Sequence, residues 1–301
     1  MKKIAFIIPF YYKWNNYANV RSNYEFLQKE GYQVDIYSKK EDSNVMFKNY
    51  DLVMLHGSGA LLTDEQHNEC KSNNIPIFSF GWSDPNLFHE KHYGQGDVYL
   101  TNDLSLSKKL KERNDKPVYF YNTACDKRHH KDLNLNKETD ILVYGAGIHK
   151  WVTDRNEVVD NLRKDGFKIK VFGRSWNKHK DTFEFIDGIG LAKEICQAHL
   201  LLDVTNGETA WGHRVFESSA RGTPVITFNR ADTRSMFADS EIIYYNNYND
   251  ILRMLNFYLR TPEVMASLLR KKGLDAQKRC YKDHDISVRI KQLVKIIEEN
   301  V

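Results

Sequence analysis

The chain has 301 residues, of which 41% are hydrophobic and 28% are charged, and its formal net charge is +4. This composition is typical of a globular protein with one large or two medium domains, and its mild basicity suits anionic ligands without requiring nucleic acid. No apolar run approaches the roughly 18 residues of a membrane-spanning helix. The four cysteines are far apart in the chain, which argues against a zinc site and favours reduced thiols in a cytosol.

The first half of the chain alternates short apolar runs with amphipathic segments. The predicted strands cover residues 3–9, 33–38, 51–56, 76–80, 97–101 and 118–121, and the predicted helices cover 17–30, 63–72 and 105–112. We interpret the first run as a strand and not a signal peptide, because no small-residue cleavage site follows it. The βαβ alternation predicts a parallel sheet covered by helices. Ligands of such sheets bind beyond the carboxyl ends of the strands, so we expect segments 9–16, 57–59 and 81–85 on one rim.

The second half repeats this pattern after a basic, polar connector at 125–137. Its predicted strands cover 140–144, 168–172, 200–204, 225–228 and 242–245, and its predicted helices cover 154–164, 189–198, 213–220, 248–259, 262–280 and 287–299. The predicted fold class is therefore α/β, with two Rossmann-like, doubly wound domains and a helical C-terminal tail. We expect one domain over 1–130 and a second over 138–275. The tail, 276–301, could cross back to the first domain.

The segment 200–228 reads as strand, loop, helix, turn and strand, and its helix begins unusually. His213 and Arg214 occupy the first turn, where the helix dipole disfavours cations. Cations there are explained if an anion such as phosphate binds at the same point. Glu217 follows one turn later. The simpler alternative is an ion pair within the helix between Glu217 and His213 or Arg214.

Residues 214–227, RVFESSARGTPVIT, resemble the donor-binding helix of GT-B glycosyltransferases. The resemblance implies that Glu217 binds the ribose of a nucleotide sugar and that Arg214 reaches its diphosphate. The second glutamate of many retaining enzymes is replaced here by Thr209. The chain is therefore more similar to the spore-maturation (CgeB-like) enzymes and to the T-even phage DNA β-glucosyltransferases.

Other segments carry the same resemblance, at 80–85, 142–147, 170–176 and 284–289. It implies two domains that face a cleft, with the active site in that cleft. The predicted donor-binding residues are Gly145, Gly147, His149, Arg155, Gly173, Trp176, Thr205, Asn206, His213, Arg214 and Glu217. The predicted acceptor-side residues are Tyr11, Lys13, Trp14, Gly57 and Trp82. Simpler alternatives are an exposed helix charge for Arg155, a structural loop for 173–176, and packing for the aromatic residues.

Asp84 is the candidate catalytic base, because a positioned carboxylate can deprotonate the acceptor hydroxyl as the glycosidic bond breaks. The resemblance to the phage enzymes implies the same role. The alternative is a simple Ser-Asp-Pro turn. Asp283 and Asp285 have the D-x-D spacing of some metal sites, but they join two predicted helices, so we expect no metal ligands there.

Together these features predict a hexosyltransferase-like enzyme that uses a nucleotide diphosphate sugar, with a UDP-sugar favoured, and that inverts the anomeric centre. No cofactor is expected to be obligatory, although a loosely bound divalent cation is compatible with the site. The predicted acceptor is a hydroxyl group of hydroxymethylated phage DNA or, alternatively, of a cell-surface, spore or polysaccharide glycan, or of a protein. A nucleotide-sugar epimerase and a non-catalytic sugar-nucleotide-binding module remain open. We expect a cytoplasmic protein of a bacterium or a phage-infected cell.

Overall fold

The computed structural model describes residues 1–8, 18–39, 42, 44–57, 60–81, 89–147, 155–177, 179–184, 188–205 and 213–301. The chain forms two compact units. Unit 1 comprises Met1–Asp126 together with Asp285–Val301, and unit 2 comprises Lys127–His284. Each unit contains a six-stranded sheet, and every described strand pair is parallel.

Unit 1 contains six strands in the order β2-β1-β3-β4-β5-β6. Its strands are β1 (Lys3–Ile8), β2 (Gln33–Ser38), β3 (Leu52–His56), β4 (Ile77–Gly81), β5 (Val98–Thr101) and β6 (Val118–Phe120). Its described helices are α1 (Ala18–Lys29), α2 (Asp64–Ser72), α3 (His89–Gln95), α4 (Leu104–Lys111) and, from the C-terminal part of the chain, α11 (Ile286–Asn300). The helix α2 begins with a capping box between Thr63 and Gln66, which satisfies two otherwise unpaired backbone donors.

Both faces of the unit 1 sheet are apolar, because neighbouring residues of a strand point to opposite sides. On one face Phe6 packs in a buried cluster with Leu27 of α1 and Ile290 of α11. On the other face Ile7 packs with Cys70 of α2. A parallel sheet that is buried on both sides has this doubly wound arrangement.

Unit 2 contains six strands in the order β12-β11-β10-β7-β8-β9. Its strands are β7 (Thr139–Tyr144), β8 (Ile169–Phe172), β9 (Thr182–Phe183), β10 (Ala198–Asp203), β11 (Val225–Phe228) and β12 (Ile243–Tyr245). Its described helices are α5 (Arg155–Lys164), α6 (Gly188–Gln197), α7 (Arg214–Ser219), α8 (Ala231–Arg234), α9 (Tyr248–Leu259) and α10 (Pro262–Asp283). The strand order reverses between β7 and β10, which are neighbours in the sheet.

The predicted α/β class, with two parallel sheets and C-terminal helices, is confirmed. Three short elements were not predicted, namely α3, β9 and α8. They have 7, 2 and 4 residues, too few to show a periodic pattern. The predicted helix 213–220 is shorter than expected: α7 begins at Arg214, and His213 precedes it as a cap residue without a side-chain capping bond.

Candidate functional site

The candidate site lies at the carboxyl edge of the unit 2 sheet, where the strand order reverses between β7 and β10. Parallel sheets bind ligands at such a point, because the connections leave the two strands in opposite directions and open a crevice. β7 ends at Tyr144 and continues into Gly145, whose φ of +118° favours glycine. β10 ends at Asp203. Predicted donor-binding residues from five separate segments surround these two strand ends.

Two arginines from different helices converge on Gly145. Arg155 begins α5 and donates from Nε to the Val204 carbonyl at 2.7 Å. Arg214 begins α7 and donates from Nη1 to the Tyr144 carbonyl at 3.2 Å. A methyl group on Gly145 would lie 2.5 Å from Arg214 Nη1 and 3.5 Å from Arg155 Nη1. Because Arg155 is 8% exposed, the alternative of an exposed helix charge is wrong.

Within the described residues, the Asp203 carboxylate forms an ion pair with Arg214, whereas Arg155 donates to backbone carbonyls. Asp203 is 1% exposed and accepts from Arg214 Nε at 2.8 Å. Burial, reinforced by the charge of Arg214, lowers the pKa of Arg155 to about 10. Burial alone would also lower the pKa of Arg214, but the adjacent Asp203 carboxylate outweighs it and raises that pKa. Arg155 has no carboxylate ion-pair partner among the described residues, and a buried cation without such a partner favours an anionic ligand.

Glu217 presents a carboxylate from the same helix as Arg214. It accepts a hydrogen bond at Oε2 from the Tyr144 hydroxyl at 2.8 Å. Burial would raise the pKa of Glu217, but His130, His213 and the Tyr144 hydrogen bond lower it overall. Burial also lowers the pKa of His213. At neutral pH the site therefore contains an ionised Glu217 beside a neutral imidazole.

Of the two pairs that helix spacing allowed for Glu217, the one with Arg214 is not what the structure shows, whereas His213 remains an electrostatic neighbour of Glu217. Arg214 forms its ion pair with Asp203, on the neighbouring strand β10. Glu217 accepts a hydrogen bond from the Tyr144 hydroxyl. Both side chains of α7 are thus fixed by the ends of strands, and their positions follow from the sheet.

The glycine turns beyond β7 and β8 fit directly against each other. Gly147 donates its N–H to the Arg174 carbonyl at 2.9 Å. A methyl group on Gly173, where φ is +140°, would lie 1.8 Å from the Gly145 carbonyl oxygen. Trp176 donates its indole N–H to the same carbonyl at 2.7 Å. These glycines therefore permit close contact between two turns, and the Trp176 N–H stabilises that contact.

Sequence reasoning missed three residues that organise the site, namely Tyr144, Asp203 and Tyr245. Tyr245 accepts the Thr205 N–H at 2.9 Å, and its hydroxyl lies 3.0 Å from the Thr205 carbonyl. The Thr205 hydroxyl is buried and has no hydrogen-bond partner in the described part of the chain. The three missed residues share one signal: each is the last, polar residue of a largely apolar strand.

Seven predicted site residues lie outside the described residues: Tyr11, Lys13, Trp14, Trp82, Asp84, His149 and Asn206. On the acceptor side, Gly57 is described, and it follows β3 with a φ of +98°. The preceding residue, His56, is buried and lies 3.0 Å from the Asn23 amide nitrogen. The His56 ring also lies between the rings of Phe6 and Phe80, with centroids 4.9 and 5.1 Å away.

Asp283 and Asp285 act at helix ends. Asp283 pairs with Arg279 at 2.7 Å, and Asp285 caps α11 by accepting from the Ser287 N–H at 3.3 Å. Among the residues that the structure describes, no group of three or more His, Cys, Asp or Glu side chains could hold a metal ion. Over the same residues, no helix has the length and apolarity needed to cross a membrane.

Comparison with known proteins matches part of the chain to a family model. The model of a family described as "Glycosyl transferase-like" matches residues 155–295. No curated relative matches the chain in sequence. The match begins at Arg155 and includes both functional residues of α7, so the motif that carried the resemblance lies inside it.

Three solved structures illustrate the similarity in fold. HepE of Anabaena in complex with UDP and glucose has a TM-score of 0.72 at 10% identity, with 99% of this chain and 100% of that chain covered. An α-glucosyltransferase in complex with UDP and a 13-mer DNA has a TM-score of 0.67 at 12% identity, with coverage of 99% and 100%. The T4 phage β-glucosyltransferase has a TM-score of 0.61 at 15% identity, with coverage of 98% and 99%.

The predicted resemblance to GT-B glycosyltransferases is confirmed, whereas the likeness to the spore-maturation enzymes stays a prediction. At such low identities the three structures support the fold, and the family model supports the class of enzyme. The chain therefore has the GT-B fold, carries a glycosyl transferase-like domain, and is a glycosyltransferase.

Proposed function

We propose that the protein transfers a sugar from a nucleoside diphosphate donor, UDP-linked, to a hydroxyl group of an acceptor. The observation that carries this proposal is the convergence of Arg155 and Arg214 on Gly145, with Asp203 as the carboxylate between the strand ends. A diphosphate would supply Arg155 with the anionic partner that it lacks among the described residues. As the bond to the sugar breaks, the departing nucleotide gains negative charge, which fixed guanidinium groups stabilise.

Other residues at the same edge of the sheet would bind the rest of the donor. Glu217 is an ionised acceptor for the ribose hydroxyls. The Thr205 hydroxyl, which has no hydrogen-bond partner among the described residues, is a donor for the diphosphate. Two of the similar structures contain UDP, which favours uridine as the nucleoside. The arginines can stabilise the leaving group directly, so we propose that the reaction needs no bound metal.

The first experiment is a thermal-shift and turnover screen of the full chain with UDP- and GDP-sugars, in buffers with EDTA and with Mg²⁺. Stabilisation by a UDP-sugar, with sugar transfer or slow hydrolysis, would support the proposal. Release of an altered nucleotide sugar without an acceptor would instead support the epimerase. Binding without any turnover would support the non-catalytic module, and no stabilisation by either nucleotide would contradict the donor site.

We propose Asp84 as the catalytic base of an inverting transfer. Asp84→Asn should lower the transfer rate by about 10²–10⁴-fold, because asparagine cannot take up the proton of the acceptor's hydroxyl group. The affinity for UDP should stay close to that of the wild type, since the donor residues are unchanged. Turnover that survives in Asp84→Asn would disprove the role, and the anomeric configuration of the product, read by NMR, tests inversion.

Two acceptor classes remain, and the charge distribution bears on them. The DNA complex of one similar structure and the T4 phage enzyme favour modified DNA. The net charge of +4 does not come from the acceptor half, however. Unit 1 has 18 Lys and Arg against 19 Asp and Glu, whereas unit 2 has 26 against 21. This distribution favours a glycan acceptor as the alternative.

Salt dependence separates the two acceptors. Transfer to hydroxymethylated duplex DNA should weaken steeply between about 50 and 200 mM salt, because DNA binding releases counterions. Transfer to a neutral oligosaccharide should change little over the same range. With a labelled donor sugar, label that appears only in DNA would support the first acceptor. Label that appears only in glycan would support the second.

A further inference from the structure

Tyr144 contacts both functional side chains of α7 at once. Its carbonyl oxygen accepts from Arg214 Nη1 at 3.2 Å. Its hydroxyl donates to Glu217 Oε2 at 2.8 Å. Because Tyr144 ends β7 and precedes Gly145, these contacts connect the strand end to the place where the arginines converge.

The Tyr144 hydroxyl fixes the rotation of the Glu217 carboxylate. One oxygen, Oε2, is held by the tyrosine, and Oε1 receives no hydrogen bond from the described residues. A carboxylate whose plane is fixed can accept two adjacent hydroxyl groups in a defined geometry, whereas a freely rotating one loses entropy on binding. Burial and the neighbouring Glu217 raise the pKa of Tyr144, so the tyrosine remains the donor at neutral pH.

We propose that Tyr144 is a positioning residue that makes the donor site selective for ribonucleotides, by orienting the Glu217 carboxylate towards the 2′- and 3′-hydroxyls. This inference rests on the proposed donor role of Glu217. A site built around hydrogen bonds to substrate hydroxyls rejects an analogue that lacks them, because its own polar groups are then left unpaired. Tyr144 thus acts on specificity through Glu217 and does not itself contact the ribose.

The test compares UDP with 2′,3′-dideoxy-UDP by isothermal titration calorimetry. The wild type should bind UDP more tightly than the dideoxy analogue. In Tyr144→Phe, the affinity for UDP should fall about 5- to 20-fold, since one hydrogen bond to a charged group is lost, while the affinity for dideoxy-UDP should stay within about 2-fold. The matched control is Tyr248→Phe, because Tyr248 also donates to a carboxylate, that of Asp165, at 2.8 Å in the same unit. It should change neither affinity.

A double-mutant cycle with Glu217→Gln separates positioning from general disruption. Glu217→Gln should itself reduce the preference for UDP over the dideoxy analogue. In that background Tyr144→Phe should have little further effect, because the carboxylate it orients is gone. This second variant also keeps the test decisive if Tyr144→Phe melts at a much lower temperature.

Three results would overturn the inference. Equal loss of affinity for both nucleotides in Tyr144→Phe would indicate a merely structural role, and an unchanged preference would show that the hydroxyl does not matter. Full additivity in the cycle would show that Tyr144 does not act through Glu217. A wild type that binds no nucleoside diphosphate would instead refute the proposed donor site itself, before the variants are compared.

Discussion

The two units build the same kind of sheet and equip its carboxyl edge differently. Each has six strands, and each reverses its strand order once, between β1 and β3 in unit 1 and between β7 and β10 in unit 2. In unit 2, two arginines and a buried aspartate lie at that point. In unit 1, β3 ends at His56, whose ring lies between Phe6 and Phe80.

This difference teaches that the sheet decides where a ligand can bind and the last residues of its strands decide which ligand. Buried cations at the edge of unit 2 suit a diphosphate. At the end of β3 in unit 1 the described side chains are instead the aromatic set of Phe6, His56 and Phe80, which suits a ligand such as a sugar. The net charges of the units agree with this contrast, since the excess of Lys and Arg over Asp and Glu lies entirely in unit 2.

Asp203→Asn should have the largest effect on stability. It leaves the guanidinium of Arg214 without its described ion-pair partner. Breaking a buried pair costs about 3–5 kcal/mol, and the 18% exposure of the Arg214 side chain reduces this to roughly 2–4 kcal/mol. For a unit of this size the melting temperature should fall by roughly 5–15 °C, measured by calorimetry of the full chain.

A matched control for this variant is Asp275→Asn. Asp275 pairs with Lys271 at 2.7 Å on α10, where Lys271 is largely exposed, and such surface pairs contribute little. Its melting temperature should stay near that of the wild type. Saturating UDP should raise the melting temperature of Asp203→Asn, because a bound diphosphate restores negative charge beside the arginine. If Asp203→Asn and Asp275→Asn have the same melting temperature, Asp203 does not stabilise the buried cations.

Two glycine variants compare the edges of the units directly. Gly145 and Gly57 have φ values of +118° and +98°, so alanine at either position should cost about 1–3 kcal/mol of backbone strain. A methyl group at Gly57 meets no atom within 4 Å, whereas one at Gly145 lies 2.5 Å from Arg214 Nη1. Only Gly145→Ala should therefore weaken UDP binding, by about 10-fold or more. Equal UDP affinities in the two variants would remove Gly145 from the donor site.

The sequence was sufficient to predict the fold because its signals are local. Alternation of apolar strands and amphipathic helices identified both sheets, and most strand ends were placed within two residues. The elements it missed, α3, β9 and α8, are short and are stabilised by packing. A two-residue strand such as β9 forms because β8 offers an unpaired edge, which no periodicity within the strand itself can indicate.

The candidate site was predicted only in part, because its key contacts join residues far apart in the chain. The resemblance identified Arg214 and Glu217, and helical spacing left a pair between Glu217 and His213 or Arg214 as the simpler alternative. Their observed partners, Asp203 and Tyr144, belong to strands, and only the register of the sheet brings them to α7. The signal in the sequence that points to these partners is a polar residue at the end of an apolar strand, since ligands of parallel sheets bind at that edge.

The smallest expected effect is a pH dependence that originates in unit 2. The pKa values of His199 and His213 are both lowered, chiefly by burial, and both residues belong to unit 2. A lowered pKa means that the unfolded chain takes up a proton near pH 6.5 while the folded chain resists it. Stability from these groups is therefore present above about pH 6.5 and declines as the pH falls towards their folded pKa values.

Urea unfolding of the full chain at about pH 7.5 and pH 5.5 measures this decline. The wild type should lose more stability on acidification than the double variant His199→Asn/His213→Asn, since asparagine takes up no proton in either state. Glu217 does not mimic the effect, because its lowered pKa makes its contribution fade only below about pH 4.5. Equal losses in the two proteins would show that these imidazoles do not resist protonation. The acid sensitivity would then have to come from groups other than His199 and His213, and the electrostatic contrast between the units would rest on the arginines alone.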